Sequence, residues 1–322
     1  MTTTVTVTPE KSAELRTILH HRLPAWFAAN ARDIAWRAPE TSAWGVLLSE
    51  VMSQQTQVAR VEPIWLEWIN RWPTPTDFAA ARIDDVLRAW GRLGYPRRAL
   101  RLHECAQQIL AHHNGVVPAD VADLLALPGI GDYTARAVAA FAYGQRVPVV
   151  DTNVRRVLAR FYHGEYEPRS PSKRELAVME SLLPDADGDV DAAKFSTAIM
   201  ELGALICTTT PKCGDCPLRS SCLWVAGGSI VTPRRPSRRV QKFAGTDRQV
   251  RGLIMAELRA TDGVVPPERI EAVWADSTQR NRALTSLLDD GLAREVTGGF
   301  RLPGSPPASP PKITTRTGLP RL

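Results

Sequence analysis

Histidine is missing from the chain beyond residue 163. There are six in 322 residues, and all lie at or before His163. Any catalytic or metal-binding role that needs an imidazole is therefore excluded downstream of that point. Cysteine is scarce as well, with five residues, so a disulfide framework does not account for stability in a chain this long. No run of about 18 apolar residues occurs, so no membrane-crossing helix is expected. The first ten residues lack a basic start and an apolar run, so no secretory signal is read there. A soluble, intracellular protein is expected.

What is present is charge of one sign and ample apolar material. The formal net charge is +6 and the isoelectric point about 9.3, which suggests a polyanionic partner. Hydrophobic residues make up 44%, enough for a real core in two domains, or in one domain with an appendage.

Residues 1–11 read as a frayed tail. From 12 to 231 helical periodicity dominates, and Ala43–Val61 places Val46, Leu47, Val51 and Val58 at helical spacing. Ile83–Trp90 and Arg98–His112 repeat the pattern, with Gly91, Gly94 and Pro96 breaking the chain between them. Residues 232–243 form a basic linker, either a solvated tether or a phosphate-contacting strap. Residues 244–302 carry helices at Asp247–Arg259, Pro267–Trp274 and Gln279–Asp290. Two short strands follow, Ala293–Val296 and Gly299–Leu302, turned at Gly298–Gly299. Helices ending in a β-hairpin suggest a winged-helix-like module. Residues 303–322, rich in Pro and Ser, read as a disordered tail.

Four of the five cysteines fall in one loop: Cys207, Cys213, Cys216 and Cys222. Only Cys213 and Cys216 form a Cys-x-x-Cys pair. Zinc usually takes two such pairs, whereas single outer spacings suit a 4Fe–4S cluster held by one compact loop. The spacing favours the cluster and leaves zinc open. Cys105, among Leu102, Ala106 and Ile109, reads as a core thiol.

Three segments carry chemistry. In Leu127–Ala135, Gly129 and Gly131 flank Ile130 between two helical runs. This is the pattern of a helix–hairpin–helix that offers backbone N–H groups to DNA phosphate, with an ordinary helical hairpin as the bland alternative. Asp151 stands at a helix N-cap, where the ionised carboxylate is favoured. Such an aspartate is most often only a cap, yet a held carboxylate can also stabilise a nearby developing cation. Glu50 lies between Leu48 and Val51 on a mostly apolar face. Burial there would raise its pKa and suit a general acid, whereas a position on the polar stripe would make it an ordinary exposed glutamate.

Ser49–Gln57, the Leu127–Ala135 hairpin, Val150–Val157 and the cysteine loop occur in an order that resembles the helix–hairpin–helix DNA glycosylases carrying an iron–sulfur cluster. Within these the chain is similar to the adenine DNA glycosylases of the MutY type, over roughly residues 12–230. The resemblance implies a mainly α fold of two helical subdomains with the 4Fe–4S loop at 207–222. It also implies a bacterial, cytoplasmic, monomeric enzyme of base excision repair. Its partner would be double-stranded DNA containing adenine mispaired with 8-oxoguanine or guanine, the adenine being flipped out and its N-glycosidic bond hydrolysed.

Residue by residue, the resemblance makes Glu50 the acid that protonates adenine and Asp151 the group that stabilises the oxocarbenium-like sugar, with Tyr133 and Asn153 supporting them. Trp36, Arg37 and Glu201 fall at the base pocket. Gln54, Gln55, Tyr95, Gly129, Gly131 and Thr134 fall at the DNA surface, Gln55 and Tyr95 as wedges. Lyase relatives carry a lysine where this chain has Tyr133, so a monofunctional glycosylase is implied. The first cysteine gap is one residue shorter than in the family, and no Nudix-like β-domain with its histidine follows. Reading of 8-oxoguanine is thereby left to the catalytic domain or to the small C-terminal module. Two other readings stand beside this one: removal of mismatched thymine or uracil on the same fold, and a non-enzymatic iron–sulfur DNA-binding sensor.

Overall fold

A computed structural model describes residues 7–169, 171–231 and 243–305. Among them the helices run α1 Pro9–Asn30, α2 Ala43–Ser53, α3 Val58–Arg71, α4 Pro75–Ala79, α5 Ile83–Trp90, α6 Arg97–His112, α7 Val121–Ala126 and α8 Asp132–Tyr143. They continue as α9 Thr152–Val157, α10 Lys173–Leu182, α11 Ala192–Leu205, α12 Leu223–Ala226, α13 Asp247–Ala260, α14 Pro267–Ala272 and α15 Ser277–Asp289. A hairpin of β1 Arg294–Val296 and β2 Gly299–Arg301 closes the described chain. No described helix is long and apolar enough to cross a membrane. Of the expected linker at 232–243 and tails at 1–11 and 303–322, residues 232–242, 1–6 and 306–322 lie outside the described residues.

The chain divides into two compact units that are not contiguous in sequence. The first takes the N-terminal residues to Ala79 and then Glu104 to Val240; the second joins Ala80–His103 to the C-terminal residues from Gln241. A single break near residue 232 was the expectation. The second unit forms because the C-terminal module packs on α5. The Arg88 guanidinium donates to the Arg259 and Thr261 carbonyls. Ser305 donates to the buried Asp84 at 3.1 Å, and Arg82 pairs with the same carboxylate at 2.9 Å. Within this unit α13, α14, α15 and the hairpin make a winged-helix-like module, and the wing is tied back by an antiparallel bridge between Val265 and Phe300.

In the first unit, one core lies where Leu15, Leu19 and Leu23 of α1 meet Val154 and Val157 of α9 and Phe195, Ile199 and Leu202 of α11. An aromatic group of Trp44, Trp68, Trp72 and Phe78 packs α2 against α3 and α4. Cys105 is buried, and burial pushes its thiol up to about 12, as a core cysteine requires.

Three expectations are corrected. Helix α1 begins at Pro9, capped by the Thr8 hydroxyl at 3.2 Å from the Lys11 N–H, so the tail is shorter than 1–11. The apolar pattern over Ala43–Val61 is two helices, broken at Gln54–Gln57. Residues 303–305 are ordered against α5 rather than part of a tail, with Ser305 buried.

Candidate active site and cysteine loop

Two glycine positions shape the hairpin between α7 and α8. Gly129 has φ 80, the left-handed region that a side chain resists. Gly131 has an ordinary φ of −101 and nothing within 4 Å of where a Cβ would stand, so open space lies in front of it. As the N-cap of α8 it offers no side-chain acceptor, which leaves the first-turn N–H groups to an external anion. The turn itself thus needs only Gly129.

Helix α8 carries Tyr133 inward. Its phenol hydrogen-bonds Glu50 on α2, and burial, together with the charges of Glu50 and Asp151, holds Tyr133 protonated well above its ordinary range. Burial likewise drives Glu50 up to about 7. The Tyr133 hydrogen bond opposes this, Asp151 reinforces it, and Arg37 opposes it. Glu50, Tyr133, Asp151 and Arg37 are therefore one electrostatic group.

Asp151 caps α9. Its Oδ1 accepts from the Val154 N–H at 2.7 Å and its Oδ2 from the Asn153 side chain at 2.6 Å. The cap was expected to favour the anion. Burial overrides that and raises Asp151 as well, against the pull of Val154, Asn153 and Arg156. The two carboxyls still differ in kind. Asp151 is served by a backbone donor, an amide and a guanidinium, whereas the hydrogen bond to Glu50 comes from a phenol.

Arg156 extends the group toward the cysteines. It donates to Asn153 Oδ1 at 2.5 Å, to the Gly203 carbonyl at 2.8 Å and to the Cys207 carbonyl at 3.1 Å. One turn on, Arg160 is 2% exposed and donates to the Cys207 carbonyl, to Cys207 Sγ at 3.3 Å and to the Thr208 carbonyl at 2.6 Å. It sits in a π-helical turn, Leu158–Tyr162, and its guanidinium stacks on Tyr166 and Trp224. The four loop cysteines form no disulfide and line one cavity with Arg160, Pro211 and Trp224. Among the described residues no three His, Cys, Asp or Glu side chains converge as ligands of one metal ion.

Glu201 is fully buried. Burial alone would raise it, but hydrogen bonds from Arg32 Nε and the Arg32 N–H (2.7 and 3.0 Å) and from Arg37 (2.7 Å) hold it down to about 2. Arg32 was not singled out from the sequence, where it is one arginine among many. Trp36 stands beside Arg37, edge-on to Trp65 at 5.8 Å. Thr134, expected at the DNA surface, is instead 2% exposed with its hydroxyl 3.4 Å from Gln54 Nε2; its side chain faces inward. Gln55 and Tyr95, in separate units, both carry the left-handed φ that non-glycine residues rarely adopt, 56 and 46.

Residues 48–182 match the HhH-GPD superfamily of base excision DNA repair proteins. An adenine DNA glycosylase of Mycobacterium tuberculosis is 53% identical over 90% of this chain and 95% of its own length. The chain belongs to the adenine DNA glycosylases. The Mycolicibacterium smegmatis member of this family is also 53% identical, over 88% of the chain. The human one is 39% identical over 62% of the chain and 38% of its own length. Among solved structures, a thermostable thymine-DNA glycosylase aligns with 67% of this glycosylase at a TM-score of 0.62 and 24% identity. Endonuclease III bound to DNA aligns with 68% at a TM-score of 0.57 and 22% identity; both likenesses concern the fold.

Proposed function

We propose that this glycosylase removes adenine mispaired with 8-oxoguanine or guanine from double-stranded DNA, with Glu50 as general acid and Asp151 as the stabiliser of the sugar cation. The observation that carries this is the Glu50 carboxyl, held near 7 beside Asp151. The Asp151 charge adds to burial in opposing ionisation of Glu50. The proton rests on Glu50, which has the poorer set of donors, and the donors around Asp151 serve the anion.

Glu50 then passes its proton to a ring nitrogen of the extruded adenine. The glycosidic bond breaks with its electron pair going to the base. Positive charge grows on the sugar, where the Asp151 carboxylate meets it. Water adds to the sugar carbon and its proton returns to Glu50. Tyr133 keeps Glu50 oriented through its hydrogen bond, and Asn153 does the same for Asp151. A phenol at position 133 cannot form a Schiff base with the sugar, so the product is an abasic site in an intact strand.

The four thiols fit a 4Fe–4S cluster. They line one cavity, and their single outer spacings suit one thiolate per iron in a compact loop. When bound, such a cluster would order the 207–222 loop. Arg160 already positions that loop by donating to Cys207 and Thr208.

Single-turnover base release tests the reading, on duplexes with adenine opposite 8-oxoguanine, adenine opposite guanine and thymine opposite guanine. Strand breakage only after alkali, at adenine, and lost in Glu50→Gln, is the expected result. Release of thymine alone would overturn the substrate assignment, and breakage without alkali the monofunctional one.

A further inference from the structure

The C-terminal unit carries an alternating column of rings and guanidinium groups that the reaction above does not use. Trp90 is buried at its base. Arg98 lies over the Trp90 ring at 5.1 Å and over the Tyr95 ring at 5.7 Å. Arg248, from the first turn of α13, lies over Tyr95 at 4.8 Å and over Phe243 at 5.9 Å. The order is Trp90, Arg98, Tyr95, Arg248, Phe243, so residues more than 140 apart in sequence share one stack.

Three features point outward. Tyr95 is 44% exposed and Phe243 57% exposed, a poor arrangement for two rings whose only task is packing. Among the described residues no carboxylate pairs with Arg248, while Arg251 and Arg282 on the same module are paired with Asp290 and Asp247. Stacking engages the faces of a guanidinium and leaves its edge N–H donors free. The loop that presents Tyr95 is also pinned. Trp90 Nε1 and Arg98 donate to the Gly94 carbonyl at 2.9 and 3.1 Å, holding Tyr95 at its positive φ.

Exposed rings interleaved with arginines are what a nucleic-acid strand binds: bases stack on the rings and phosphates meet the guanidinium edges. We propose that Phe243 and Arg248 of the C-terminal module extend the DNA-contact surface beyond Tyr95, which Arg98 supports from its other side. Phe243, at the open end of the column, takes an unstacked base face, and Arg248 takes a backbone phosphate while holding the Tyr95 ring between itself and Arg98. The module is thereby part of the DNA-binding machinery. This rests on the reading of the chain as a DNA glycosylase.

The test uses the full chain and a short duplex with 8-oxoguanine opposite a 2′-fluorinated adenosine, which binds but is not cut. Affinity is followed by fluorescence anisotropy across a range of salt, and excision is measured separately on the cleavable duplex. Arg248→Ala and Phe243→Ala are each expected to weaken binding about tenfold. Arg248→Ala should also flatten the slope of log K against log salt by about one. Arg248→Lys should keep that slope yet recover only part of the affinity, since a lysine restores charge without the planar stack. Excision by Phe243→Ala at limiting protein should fall in step with its affinity, which places the defect in binding rather than chemistry. Phe243 is too exposed for its loss to unfold the module, so affinity and salt slope unchanged in Phe243→Ala and Arg248→Ala would overturn the inference. A wild type that binds the duplex but releases no adenine would instead overturn the glycosylase reading and leave this surface standing.

Discussion

Gly203 of α11 lies directly against the Asn153 backbone of α9. A Cβ at position 203 would stand 2.5 Å from the Asn153 carbonyl oxygen and 2.7 Å from its carbon. Those atoms belong to backbone, which cannot swing aside, so α11 acts as a fixed wall behind the Asp151 cap. Gly203→Ala should cost about 1–3 kcal/mol of stability through overpacking. It should also slow adenine release by displacing Asn153 from Asp151. Thermal unfolding and single-turnover excision measured on one preparation check both halves.

Glu50→Gln separates activity from stability. Excision should vanish, because the amide has no proton to give. The folded Glu50 titrates near 7, above its unfolded range of about 4.3. A raised carboxyl favours folding in its protonated form, so that contribution is complete below about pH 4 and lost as pH rises through 7. Above pH 7 the variant, having no charge to bury, should be more stable than wild type by about 3–4 kcal/mol. Chemical denaturation at pH 5 and pH 8 should show a small gap at the lower value and most of it at the higher.

The same titration shapes the rate. Excision by wild type should be level below about pH 6 and fall as pH passes 7, tenfold per unit, because only protonated Glu50 donates. Tyr133→Phe removes the hydrogen bond that lowers Glu50 and should move this limb to higher pH. A pH–rate profile of the two proteins is decisive; a limb in the same place would separate Tyr133 from Glu50.

Glu201 titrates in the opposite sense. Its folded pKa is depressed to about 2 by Arg32 and Arg37 acting against burial. Its stabilisation is therefore present above the unfolded value of about 4.3 and lost as pH falls toward 2. Glu201→Ala strands two guanidinium groups against a buried cavity and should cost about 3–5 kcal/mol. Denaturation at pH 7 measures it, and a loss below about 1 kcal/mol would show the pair to be an ordinary surface bridge.

Much of this was legible because local signals were strong. Ile83–Trp90 is apolar at helical spacing and bounded by Gly91, and it forms the helix read from it. The three helices and the hairpin of the C-terminal module fall within two residues of their expected limits. The break at Gln54–Gln57 was not legible, since glutamines suit a helix and the turn depends on Gln55 adopting φ 56, which nothing in its residue type announces. The partnership of Glu201 with Arg32 spans 169 residues, and the union of 80–103 with the C-terminus spans about as many; no periodicity reports such contacts. The direction of Asp151 was misjudged because cap chemistry is visible in sequence and burial is not.

The interleaved second unit bears on how the chain is made. Helix α5 buries Val86, Leu87 and Trp90 in a unit completed by residues from Gln241 onward. On a ribosome adding about 5–20 residues per second, that partner arrives roughly 10–30 s after α5 has emerged. For that interval the nascent chain shows an apolar helix to the cell with its partner still unmade. A transcript truncated after the cysteine loop would leave α5 permanently in that state, so loss of the C-terminal module should be met first by chaperones and proteases, and only then by a deficit in repair.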